Sequence, residues 1–182
     1  MKEIIIHARA GQGAITTAAL LGDAVVESDK YAYVFPSFGA ARMGAPMNAF
    51  IRLDEKPIRL RSQVKEPDYV IVIDETLLSG FNVFKGLKKN GVVIINTPNK
   101  IQPPENLHNS VKIITVPGNR IAEEILGRPL GNTAALGAFA FATKEFDLEA
   151  LSKALKRRFS PKIAEKNLEM AKRGYEHVSG GK

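Results

Sequence analysis

A chain of 182 residues with 45% apolar and 25% charged side chains has the balance of a soluble globular protein, long enough for one core that removes roughly two-thirds of its surface from water. It contains no cysteine, which excludes disulfides, thiolate catalysis, cysteine-ligated zinc and any iron–sulfur cluster held on its own thiolates. The formal charge of +7 favours an anionic partner, whether nucleic acid, a phosphorylated cofactor or an acidic protein, without choosing among them.

His7, His108 and His177 show no metal-ligand spacing, so no metal site is expected. No nucleic-acid module with stacking aromatics stands out. No apolar run reaches the roughly 20 residues of a membrane span. The opening Met1-Lys2-Glu3 has none of the regions of a secretory signal, so a cytoplasmic location is expected. The Lys/Glu-rich tail points to a thermophile.

In chain order, Glu3 to Ala8 (EIIIHA) reads as a buried strand that meets a tight turn at Gly11-Gln12-Gly13. A helix follows from Ala14 to about Glu27, with Ile15, Ala18, Leu21, Ala24 and Val25 on one face. Tyr31 to Phe35 is a second strand, which Pro36 should stop. The stretch Ser37 to Pro46 is a loop. Asn48 to Leu53 and Pro57 to Leu60 are expected to form a hairpin across Asp54-Glu55-Lys56, which would make the sheet mixed.

Tyr69 to Ile73, closed by Asp74, reads as a central strand. Helical turns are expected around Leu87, then strands at Gly91 to Asn96 and Val111 to Val116. Beyond Pro117 everything reads as helix. Ile121, Ile125 and Leu126 mark one helix, Leu136 to Ala142 a second, and Leu148, Leu151, Leu155 and Phe159 a third with Asp147 as its N-cap. A last helix starts near Pro161. This alternation of strands and helices predicts an α/β layer fold, and no linker divides it, so residues 1–182 are expected to form one domain.

Gly11-Gln12-Gly13 stands where a strand turns into a helix, the arrangement in which free backbone N–H groups and the helix dipole meet an anion. A dinucleotide fingerprint would need a third glycine where Thr16 stands, and an acid where Pro36-Ser37 stands. Close helix–strand packing explains the same glycines, so both readings stay open. Arg42, between the glycines of its loop, offers a forked donor to phosphate or carboxylate, or to an ion pair. Asp74 and Asn96 stand at strand ends, where either ligands or local caps are found. His7 reads as a packed or capping histidine. No set of nucleophile, base and orienting group emerges, so no catalytic residue is assigned.

The segments His7–Ala18, Phe35–Pro46, Phe50–Arg52, Glu66–Val70 and Asn132–Ala138 together resemble the gamma subunit of pyruvate and related 2-oxoacid:ferredoxin oxidoreductases. The resemblance reaches the tail at Glu165-Lys166-Asn167 and Arg173-Gly174-Tyr175. One departure is that Ala8 and Ala10 stand where the family often has glycine.

The resemblance implies a three-layer Rossmann-like single domain with a mostly parallel, mixed central sheet and a helical C-terminal part. It implies a multi-subunit enzyme that oxidatively decarboxylates a 2-oxoacid to acyl-coenzyme A and reduces ferredoxin. Thiamine diphosphate and iron–sulfur clusters would then sit on alpha, beta and ferredoxin-like delta partner subunits, in keeping with the missing cysteines. This chain would be inactive alone and would help place coenzyme A, with Gly11, Gln12, Gly13 and Arg42 as contacts to it or to the nearest interface. Pyruvate is the expected 2-oxoacid, with branched-chain or aryl 2-oxoacids as alternatives. A purely structural subunit that touches no ligand is the rival reading.

Overall fold

In the computed structural model, which describes residues 1–37 and 43–180, six strands form one sheet in the order β2-β3-β1-β4-β5-β6. The first strand, β1 (Lys2–Arg9), lies inside the sheet because it is apolar on both sides: Ile4 and Ile6 face one way, Ile5 the other, and all three are buried. It runs parallel to β4 (Tyr69–Val72), which is followed in parallel by β5 (Val92–Asn96) and β6 (Lys112–Val116). On its other side β1 pairs antiparallel with β3 (Pro46–Asp54), whose outer neighbour is β2 (Tyr31–Ser37).

The sheet is therefore mixed, as expected, but the hairpin differs from the expected one. β3 pairs with β2, in register from Tyr31 opposite Asp54 to Ser37 opposite Asn48, and Pro57 to Leu60 form no strand. With β1 and β2 on its two sides, β3 has no free edge left for residues 57–60. Nor does Pro36 stop β2; it pairs with Ala49. Among the described strands β2 is an edge strand with one side unpartnered, the place where a sheet tolerates a missing N–H.

Five helices follow the expected positions: α1 (Ala14–Val26), α2 (Gly118–Leu126), α3 (Asn132–Thr143), α4 (Leu148–Arg158) and α5 (Pro161–Gly180). Asp147 caps α4, accepting the Ala150 N–H at 2.8 Å. The turns expected around Leu87 are not helical; the regular piece between β4 and β5 is a 3-10 turn, Glu75–Ser79.

All five helices contribute to the core on one face of the sheet, against Ile4, Ile6, Ile51, Ile71 and Ile94. Its centre is α3, where every residue from Thr133 to Ala140 is buried. Two glycines let α5 approach it: a Cβ on Gly137 would overlap the Ala171 backbone, and one on Gly174 the Ala134 backbone. Among the described residues the opposite face carries no long helix. Over β4 and β5 it is closed by Leu77, Val83 and Leu87, and over β1 and β3 by Val64 packed on Ile5 and Phe50. Among the described residues no helix is long and apolar enough to cross a membrane.

Candidate functional site

The parallel strands β1, β4, β5 and β6 bring their carboxyl ends to one edge of the sheet. There β1 gives way to Gly11-Gln12-Gly13. Gly11 (φ 95°) and Gly13 (φ 81°) both adopt left-handed backbone, a region that side chains with a Cβ disfavour. Gly13 precedes α1 directly; among the described residues no side chain caps that helix, and its first turn holds no acid. The leading N–H groups of α1 thus lack an intrahelical or side-chain partner and carry the positive end of the helix dipole.

The turn is braced from two sides. Gln12 lies inward, its Oε1 accepting the Arg9 N–H at 2.8 Å and its Nε2 donating to Asp74 Oδ2 at 2.6 Å. From the first residue of α3, Asn132 Nδ2 donates to the Gln12 carbonyl at 2.7 Å and to Thr17 Oγ1 at 2.8 Å. The turn's shape is therefore set by a residue 120 positions away.

Asp74 is the hub beneath the turn. It caps the 3-10 turn through the Thr76 N–H at 2.9 Å and also accepts from Thr76 Oγ1 at 2.6 Å. Burial pulls its pKa upward, but the hydrogen bonds of Thr76 and Gln12 and the charge of Arg9, 3.3 Å away, hold it below the usual carboxylate value. Arg9 itself reaches Thr76 Oγ1 at 2.9 Å and the Gly44 carbonyl at 3.2 Å. Asn96 acts as a clasp: its Nδ2 donates to the Ile73 carbonyl at 3.0 Å and to Asn119 Oδ1 at 2.9 Å, and its Oδ1 accepts the Asn119 N–H at 3.1 Å. At both strand ends the local-cap reading describes the polar residue found there.

Of the residues expected to contact a ligand, Gly11, Gln12 and Gly13 come together on this edge and Arg42 lies outside the described residues. The carboxamide of Gln12 is engaged within the fold at both ends. What sequence reasoning missed is a cavity of about 270 Å³ beside the turn, lined by Gly13 of the turn, Thr16 of α1, Asn132 of α3, and by Phe159, Ile163 and Arg128. Arg128 is the charged residue of its described lining and is exposed. No periodic signal marks it, because it lies in the short connection after α2.

His7 lies on the helix-free face, its Nδ1 bonded to Asn48 Oδ1 at 2.8 Å across the β1–β3 register. Burial lowers its pKa, and hydrogen bonds with Asn48 and the Val83 backbone offset this only in part, so it is a packed histidine held neutral. The pair of Ser110 Oγ and His108 Nδ1, 2.7 Å apart, is exposed and local. Among the described residues no three His, Cys, Asp or Glu side chains gather as a metal site would require.

Residues 3–177 match the family described as pyruvate ferredoxin/flavodoxin oxidoreductase. The chain belongs to this family. It is a gamma-type chain: it is 46% identical over 178 residues to the pyruvate synthase subunit PorC of Methanothermobacter thermautotrophicus, covering 98% of this chain and 96% of that one. It is 45% identical over 178 residues to the pyruvate/ketoisovalerate oxidoreductases common subunit gamma of Pyrococcus furiosus, covering 97% and 96% of the two chains.

The crystal structure of the pyruvate oxidoreductase subunit PORC of Thermotoga maritima superposes with a TM-score of 0.82 at 37% identity, over 96% of this chain and 95% of that one. At 17% identity, which speaks for the fold alone, the gamma-type fold also makes up 31% of a chain of the 2-oxoglutarate:ferredoxin oxidoreductase of Magnetococcus marinus, with a TM-score of 0.79. That structure was solved with 2-oxoglutarate, coenzyme A and succinyl-CoA bound. The family resemblance carried by the motifs is thus borne out. Two of those motifs meet at the first turn, where Asn132 holds the Gln12 carbonyl.

Proposed function

We propose that this gamma-type chain serves a pyruvate (2-oxoacid):ferredoxin oxidoreductase as an accessory subunit that helps place coenzyme A and hold the complex together. The observation that carries the reading is the near-full-length likeness, at 46% identity, to a pyruvate synthase subunit. Pyruvate is the favoured 2-oxoacid; the common gamma subunit of Pyrococcus furiosus, named for both pyruvate and ketoisovalerate oxidoreductases, keeps branched-chain substrates as the alternative.

Thiamine diphosphate and iron–sulfur clusters supply the decarboxylation and electron transfer of such enzymes, and the chain's side chains do not fit the clusters. It has no cysteine to ligate them. Alpha, beta and delta partners would carry both groups. What this chain offers to an anion is the uncapped start of α1 after the left-handed Gly13, with Arg128 at the rim. Coenzyme A carries phosphates on an extended molecule, and a cavity of about 270 Å³ takes one portion of it. A chain of net charge +7 draws such a polyanion toward it.

Reconstitution with the partner subunits tests this. Ferredoxin reduction by pyruvate and coenzyme A is expected to require the chain, and Arg128→Ala to raise the KM for coenzyme A roughly tenfold with little change for pyruvate, as loss of one charge-assisted phosphate contact does. Full activity without the chain would end the reading. A specific observation favours a second one, in which the subunit is purely structural: the side chains of Gln12 and Asn132 are engaged within the fold. That reading predicts an unchanged KM.

A further inference from the structure

The helix-free face of the sheet holds the largest open groove of those described, about 650 Å³. It runs between two coverings of that face, the Val64 segment over β1 and β3 and the segment after the 3-10 turn. Ile5, His7, Asn48 and Phe50 form its floor, with Val64 on one wall and Phe81 on the other. Phe81 is 52% exposed, a large aromatic side chain left in water at the mouth of an apolar groove. Contiguous apolar surface of this kind, rimmed by charge, marks interaction sites.

The charge at the rim has one sign. Lys65 and Lys85 are exposed in the lining, and no carboxylate is among the described lining residues. His7 adds no charge, since burial holds it neutral. Its ring and the Asn48 side chain are bonded to each other, and no described buried polar side-chain atom lacks a partner. A small-molecule site buries a few convergent polar groups that fix the ligand, whereas here the floor's His7 and Asn48 are bonded to each other and the other amides of the lining, Gln63 and Asn82, are exposed.

We infer that this groove is a docking surface for a partner subunit of the complex, which seats there an apolar side chain flanked by Asp or Glu. The inference rests on the subunit reading above. The sign of the rim charge chooses this occupant over a second copy of the chain. A symmetric dimer through this face would set Lys65 and Lys85 of one copy against the same lysines of the other, and like charges opposed across an interface are unfavourable.

The test uses the complex purified with its partner subunits, comparing wild type with Lys65→Glu/Lys85→Glu and with Phe81→Ser. Each variant's thermal melt establishes that it folds. Wild-type association is expected to weaken as salt rises, the lysine double variant to bind its partners at least roughly tenfold more weakly, and Phe81→Ser to weaken binding without changing the salt dependence. The same charge change at Lys156 and Lys172, on the helical side, should leave assembly intact.

A folded double variant that assembles like wild type overturns the inference, as does equal weakening by the Lys156/Lys172 variant, which would make the effect one of net charge. Wild-type chain that dimerises through this face, read as loss of a dimer in the double variant, also overturns it. Wild-type chain that binds no partner at all removes the subunit reading with it, whereas wild-type assembly with unaffected variants removes only the docking surface.

Discussion

Gln12 and Asp74 meet at 2.6 Å between the turn after β1 and the end of β4, the carboxamide donating to a carboxylate that already caps the next turn. One contact thus ties the glycine turn to the neighbouring parallel strand. Asp74→Ala would remove the cap and leave the donors of Gln12 and Thr76 without their acceptor. The expected loss is about 2 kcal/mol, or a melting temperature lower by roughly 4–8 °C for a chain of this size.

The same residue predicts a pH dependence. Its pKa is depressed in the folded state, so its contribution is fully present above the ordinary carboxylate value of about 4 and is lost as pH falls through the folded value. The stability gap between wild type and Asp74→Asn should therefore narrow on acidification below about pH 4. A gap constant from pH 7 to pH 3 would show that the charge on Asp74 contributes nothing.

Glu3 and Arg52 predict an asymmetry. The Arg52 side chain is 1% exposed, bonded to Glu3 at 2.8 Å and to the Leu60 carbonyl at 3.3 Å, and it lies over the Phe35 ring. Glu3→Ala strands a buried guanidinium and should cost about 3–5 kcal/mol. Arg52→Met keeps the volume and leaves Glu3 with Lys88, 3.9 Å away, so it should cost clearly less. Chemical denaturation of the two variants measures this, and equal losses would contradict it.

His7 sets acid sensitivity. Its folded pKa is lowered, so below the ordinary histidine value of about 6.5 the unfolded chain takes up a proton that the folded one refuses, and stability declines as pH falls toward the folded value. His7→Gln should flatten the part of the stability profile that lies below about pH 6.5. An unchanged slope would assign the acid sensitivity to other groups.

Gly137 and Gly174 hold α3 and α5 in backbone contact. Alanine would favour each helix by about 1 kcal/mol, yet its methyl has nowhere to go without moving a helix, at a cost of roughly 1–3 kcal/mol or more. Each variant should melt lower than wild type. A higher melting temperature would mean that the helices separate freely.

Most of this fold was legible because its signals are local. Ile4 to Ile6 and Tyr69 to Ile73 are apolar runs flanked by breakers, and α4 and α5 repeat at helical spacing. The β2–β3 pairing was not, because choosing a partner for Asn48 to Leu53 required knowing that β1 would take its other side. Pro36 misled for the same reason, since a proline is tolerated only once its strand is known to be an edge. At the site, Gly11-Gln12-Gly13 was legible from glycine chemistry. Arg128, Asn132 and Phe159 were not, since the stretch from Arg128 to Asn132 and the end of α4 at Phe159 come to the glycine turn only through packing.

The placement of coenzyme A is tested most directly by hydrogen exchange of the reconstituted complex with and without it, read at the first amides of α1, Ala14 to Thr16. Slower exchange there on binding, diminished by Arg128→Ala, is the predicted result. Unchanged exchange at these amides in a complex that binds coenzyme A and turns over normally would contradict it.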